Sequence, residues 1–85
     1  MTIANDLRAA AQYIREHGWK QGDSGIHGGP RCIGGAWESV AGGCRMPDAM
    51  YEVTGDIFAS TFNDRHCKFK RDAIAALEIA ADLAS

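Results

Sequence analysis

Apolar residues recur at helical spacing along the first part of the chain. Ile3, Leu7, Ala10, Ala11 and Ile14 share one face, with Asp6, Arg8, Gln12, Arg15 and Glu16 on the other. Thr2 stands where an N-cap belongs. His17-Gly18-Trp19 reads as a stop signal. Gly18 is free to take the left-handed backbone that closes a helix, and Trp19 is placed to fold back onto Ile14 in a Schellman motif. The next stretch, KQGDSGIHGGPR over residues 20–31, is too rich in glycine for helix and predicts tight turns or a short two-stranded hairpin, Trp19 to Gln21 pairing with Arg31 to Ile33. Ile33, Ala36, Trp37, Val40 and Ala41 then mark a second, short helix that Gly42 and Gly43 end. Gly34 and Gly35 either weaken its start or let a neighbouring backbone approach closely.

Pro47 suits the first turn of a third helix, with Asp48 and Glu52 near its positive end and Met50, Val53, Thr54, Ile57 and Phe58 along one face. Ser60 to His66 shows no apolar period and reads as a loop. A last helix carries a wide apolar stripe of Phe69, Ala73, Ala76, Leu77, Ala80 and Ala84, flanked by Ile74 and Leu83. The pattern therefore predicts one mainly α domain over residues 1–85. Its architecture is a compact bundle of about four helices, with the hairpin as an option between the first two.

Composition narrows the picture. The 46% hydrophobic share leans on alanine, so the core must come from close helix packing rather than bulky side chains. A net charge of −2 gives no overall field for nucleic acid or an anionic membrane. No apolar run approaches the roughly 18 to 20 residues that cross a bilayer, and the N-terminus lacks the basic-then-apolar layout of a signal peptide. Cys32, Cys44 and Cys67, odd in number and irregular in spacing, fit free thiols in a reducing cytoplasm better than a secreted disulfide scaffold.

Three short elements bear a resemblance. Gly18-Trp19-Lys20-Gln21-Gly22, then Cys32-Ile33-Gly34-Gly35-Ala36, then Phe62-Asn63-Asp64 resemble the Gly-Trp-x-Gln-Gly, Cys-x-x-Gly-Ala and Trp-Asn-Asp elements of a family of small uncharacterised proteins from actinobacteria and their phages. Phe62 departs from the family's tryptophan, Ile-Gly-Gly follows Cys32 in place of Ala-Leu-Gly, and Lys68-Phe69 stands where members place Arg-Thr before the last helix. The resemblance implies a phage or prophage source and action by binding a host protein, and it implies no catalytic activity.

Several residues carry candidate chemistry and plainer roles as well. Cys32, Cys44, His66 and Cys67 are residue types that zinc prefers, but no C-x2-C or H-x3-H knuckle is present, so no metal or other cofactor is expected. Cys32 with His66 and Asp64 or Asn63 has the residue types of a thiol nucleophile and its base, with His27 as a second base, in a chain too short to enclose a sizeable cleft. Gly22 to Gly35 invites comparison with phosphate-binding loops but lacks their registers. Asn63 and Asp64 suit holding a loop to nearby backbone N–H groups, and Trp19 and Trp37 suit the core. Arg65, His66, Lys68, Lys70 and Arg71 form the only basic cluster, at a helix start where the dipole disfavours cations; it suits a contact with an acidic partner or a nucleic-acid backbone, and its plainer role, the weightier of the two, is a solvated turn balanced by Asp64 and Asp72.

The sequence therefore points to a non-enzymatic cytoplasmic protein-interaction module that meets a host or cellular protein through that cluster and involves no membrane. A nucleic-acid-binding helical module using the same cluster is the alternative, disfavoured by net acidity. A zinc-stabilised domain or a Cys32-dependent enzyme ranks third.

Overall fold

The computed structural model describes residues 2–43 and 45–85. Five helices follow in order among these residues: α1 (Ile3–His17), α2 (Ile33–Ala41), α3 (Asp48–Thr54), α4 (Ala59–Arg65) and α5 (Lys70–Ala84). The chain is mainly α, as its apolar spacing requires, and its helices surround one hydrophobic cluster.

α1 begins as expected: the Thr2 hydroxyl accepts from the Asn5 N–H at 3.1 Å. It lies antiparallel to α5, with Arg8 paired to Asp82 at one end and the Lys70 ammonium donating to the Arg15 carbonyl at the other. Their seam is made of Leu7, Ala10, Ala11 and Ile14 against Ala73, Ala76, Leu77, Ala80 and Ala81, all buried. Alanine at most of these positions lets the backbones come close, so dispersion and apolar burial are gained without large side chains. α2 packs on α1, and α3 on α5.

Several expectations change. Ser60 to His66 falls largely within α4. Its inward positions are Ala59 and Asn63, followed by Cys67 just beyond the helix, so an i, i+4 period exists but is carried by a polar residue and a thiol. α3 is shorter than its apolar pattern implies. Gly55 adopts φ 71°, ψ 40° and ends it at Thr54, so Ile57 and the exposed Phe58 lie beyond the helix.

The hairpin does not form among the described residues. Trp19 and Arg31 make a single isolated bridge, and it is parallel: the Arg31 N–H donates to the Gly18 carbonyl and the Lys20 N–H to the Arg31 carbonyl, each at 3.3 Å. The intervening residues form a loop that returns to run alongside, which a tight turn cannot do. Nor does α1 end in a Schellman motif. Gly18 donates to the Ile14 carbonyl at 2.9 Å, but at φ 100°, ψ 171° it sends the chain out extended. The reason lies in what holds Trp19.

Candidate functional site

Trp19 is held by α4. Its indole N–H donates to the Asn63 side-chain oxygen at 2.6 Å, and the same oxygen accepts from the Ile33 N–H at the start of α2, at 3.1 Å. The Asn63 amide nitrogen donates to the Lys20 carbonyl at 3.0 Å and to an Asp64 carboxylate oxygen at 3.1 Å. Asn63 is fully buried, and a buried amide is tolerable only when its donors and acceptor are satisfied in this way. Beside it, the Gln21 amide donates to the carbonyls of Asn63 and Cys67, at 3.0 Å each, and to that of Asp64 at 3.3 Å. It thereby serves carbonyls that the end of α4 leaves free. The three elements that carry the family resemblance thus meet in one hydrogen-bonded junction. Asn63 does hold a loop, but by groups some 30 to 44 residues away in sequence rather than nearby.

The glycine-rich loop is tied down along its length. The Tyr13 hydroxyl donates to the Gly29 carbonyl and accepts from the Gly28 N–H, both at 2.8 Å. Arg31, buried although charged, donates to the Ser24 carbonyl at 2.8 Å and the Ser39 hydroxyl at 2.7 Å, with the Glu38 carboxylate at 3.9 Å. Gly35 makes room for this arrangement: a Cβ there would sit 2.5 Å from the Ser24 oxygen and 2.7 Å from Arg31 Nε. Of the two roles open to Gly34 and Gly35, close backbone approach therefore belongs to Gly35.

An oxyanion cradle needs free N–H groups converging on one point. Here the N–H of Gly22 goes to Asp64, that of Gly25 to Asp23, that of Gly28 to Tyr13 and that of Gly29 to the Ile26 carbonyl. Two of the four already face carboxylates, which would repel an anion.

The candidate nucleophile is not joined to a base. Cys32 caps α2, its sulfur accepting from the Gly35 N–H at 3.3 Å, and lines a cavity of about 100 Å³ with Gly22, Asp23, Ser24, Ser60 and Asp64. Neither candidate histidine lines that cavity: His66 stacks on Phe62 and His27 lies against Tyr13. Burial, followed by the nearby Asp72 charge, pushes the Cys67 thiol up to about 11, so it stays protonated near neutrality. Among the described residues no three of the metal-ligating types His, Cys, Asp and Glu converge, and Cys44 lies outside them.

The basic cluster is exposed at all five positions, Arg65, His66, Lys68, Lys70 and Arg71. Its electrostatic setting is milder than the sequence implies. Arg65 and His66 end α4, where the dipole favours cations, and Lys70 reaches the C-terminal carbonyls of α1. Asp72 accepts from the N–H groups of Lys68 and Phe69, both at 2.9 Å, and these bonds hold its carboxyl below its ordinary value. This also supplies the start of α5, where Phe69 as N-cap has no acceptor of its own. Phe69 was expected on the apolar stripe but is 55% exposed, with the Arg71 guanidinium 4.8 Å from its ring centre. A concavity of about 460 Å³ is lined by Trp19, Lys20, Asp23, Gly25, Ile26 and Pro30, none of them from the basic cluster.

Sequence reasoning missed Gln21, Arg31 and Tyr13, whose roles depend on distant backbone, and the exposure of Phe69. No sequence signal separates Phe69 from the stripe, because α5 begins one residue after it. No described helix is long and apolar enough to cross a membrane. No curated protein and no solved structure matches the chain. A family model does: the chain belongs to the family of unknown function DUF6197, matched over residues 1–83.

Proposed function

We propose that this chain is a protein-interaction module whose contact surface is the turn between α4 and α5. The observation that carries the reading is Phe69, a large aromatic ring 55% exposed with the Arg71 guanidinium 4.8 Å from its centre, in a turn that also exposes Lys68 and Lys70 and follows the exposed Arg65 and His66 at the end of α4. Aromatic and arginine side chains supply most of the affinity at protein interfaces, and a cationic surround steers an acidic partner toward them. The partner is accordingly an acidic surface with an apolar recess. The buried, reduced thiols Cys32 and Cys67 fit a cytoplasmic setting, and a phage or prophage product acting on a host protein is the finer form of the proposal.

A second reading, single-stranded nucleic acid, draws on the same ring, since bases stack on aromatic platforms set among cations. Net charge −2 and the carboxylates of Asp64 and Asp72 beside the cluster oppose it.

Affinity capture from a lysate with the wild-type chain and with a Lys68→Glu/Arg71→Glu variant tests the proposal. A bound protein lost on charge reversal is expected. Equal capture by both chains, or oligonucleotide binding that strengthens as salt is lowered, would reject the acidic-protein surface.

A further inference from the structure

The opposite end of α5 carries the complementary chemistry. A groove of about 340 Å³ is lined by Ile3 from α1, Pro47, Asp48, Ala49 and Glu52 around α3, and Leu83 and Ala84 from the end of α5. Ile3 and Leu83 are 52% and 54% exposed, so the groove presents apolar side chains to solvent. Among the described residues its lining has two carboxylates, Asp48 and Glu52, and no cation. Isolated exposed apolar residues are ordinary, but several gathered in one concavity with charges of a single sign describe a docking site for an apolar side chain carried by a cationic segment. The chain displays such a segment: Phe69 between Lys68 and Lys70, with Arg71 on its ring.

We infer that the Ile3/Leu83 groove receives the Phe69 turn of a second copy of this chain. The two surfaces stand at opposite ends of one 15-residue helix, about 20 Å apart at 1.5 Å per residue. They cannot meet within a molecule. The contact is head to tail, so an assembly of any length keeps one groove at one end and one turn at the other unfilled until a further copy adds or a ring closes. The inference rests on the reading of Phe69 as a protein contact and names its occupant. Competition follows: a partner that covers Phe69 caps the chain of copies.

The test is sedimentation equilibrium at low and high salt. Three variants alter exposed positions only: Lys68→Glu/Arg71→Glu for the turn, Glu52→Lys/Leu83→Lys for the groove, and Phe69→Ala, which leaves the net charge at −2. Lys70 is left in place because it holds the end of α1. The wild type is expected to gain mass with concentration at low salt and to lose it at high salt. Each double variant alone is expected to be monomeric and Phe69→Ala to associate roughly tenfold more weakly, with unchanged circular dichroism.

An equimolar mixture of the two double variants retains one intact turn and one intact groove and should form dimers that grow no further. A wild type that stays monomeric to about 1 mM at low salt, a mixture that does not dimerise, or variants that associate like the wild type would overturn the inference. If the wild type is monomeric while lysate capture still depends on Lys68 and Arg71, the self-contact falls and the proposed function stands.

Discussion

Two regions of this molecule solve the same problem by opposite means. The α1–α5 seam is apolar and uniform, built from Leu7, Ile14 and Leu77 among alanines, and its stabilisation is spread over many small contacts. The junction of the glycine-rich loop with α4 is polar and singular, because Trp19, Lys20, Ile33 and Asp64 all converge on the one side chain of Asn63. Dispersion is non-directional and forgives small changes of shape. Buried hydrogen bonds are directional, and removing one partner leaves the others desolvated and unpaired. The seam should therefore respond to volume and the junction to chemistry.

The sharpest break is at Asn63. Asn63→Ala strands the Trp19 indole N–H, the Ile33 N–H and the Lys20 carbonyl. It should cost about 4 kcal/mol, a large part of the stability a domain this small holds, and lower Tm by about 15 °C or more. Asn63→Asp keeps the volume but turns the donor toward Lys20 into an acceptor beside Asp64, and should cost nearly as much in a denaturant titration. Gly35→Ala drives a methyl against the Ser24 carbonyl and the Arg31 guanidinium. It should cost about 2–3 kcal/mol by overpacking, with faster amide exchange confined to residues 22–31.

On the seam, Leu77→Met conserves volume in the same way as Asn63→Asp and should cost under about 1.5 kcal/mol in the same titration. An effect as large as that of Asn63→Asp would erase the distinction between the two regions.

The smallest effect is electrostatic. Backbone N–H groups, Gly22 for Asp64 and Lys68 and Phe69 for Asp72, hold these carboxyls below their ordinary 3.8. Their contribution is present above that value and is lost as pH falls through the lower folded values. Thermal melts from pH 6 to pH 2 should show an acid decline that is shallower in Asp64→Asn and Asp72→Asn, each of which keeps an acceptor oxygen. A decline identical to wild type would remove these bonds from the account.

The same division governs what could be read from the sequence. The first and last helices are legible because their inward residues are apolar and recur at i, i+3 and i+4, and Thr2, Gly42 and Pro47 mark boundaries through local backbone chemistry alone. α4 is not legible by that rule, since Asn63 occupies its most buried position and an asparagine between Phe62 and Asp64 reads as a turn. Gly18 misleads for a related reason. Its stop signal is real, but the backbone beyond it follows Trp19 toward a partner 44 residues away, which no window on the sequence contains. The basic cluster is legible as charge. Its aromatic centre is not, because Phe69 fits the spacing of the stripe it does not join.

The reach of Asn63 also orders events during synthesis. The loop that begins at Lys20 has no anchor for Trp19 or Gln21 until residues 63–67 exist. At roughly 5–20 residues per second the nascent chain waits a few seconds for them. α5, which covers the apolar face of α1, is made later still. For that interval Leu7 and Ile14 lack the helix that covers them, and the native topology closes only when the last helix folds back.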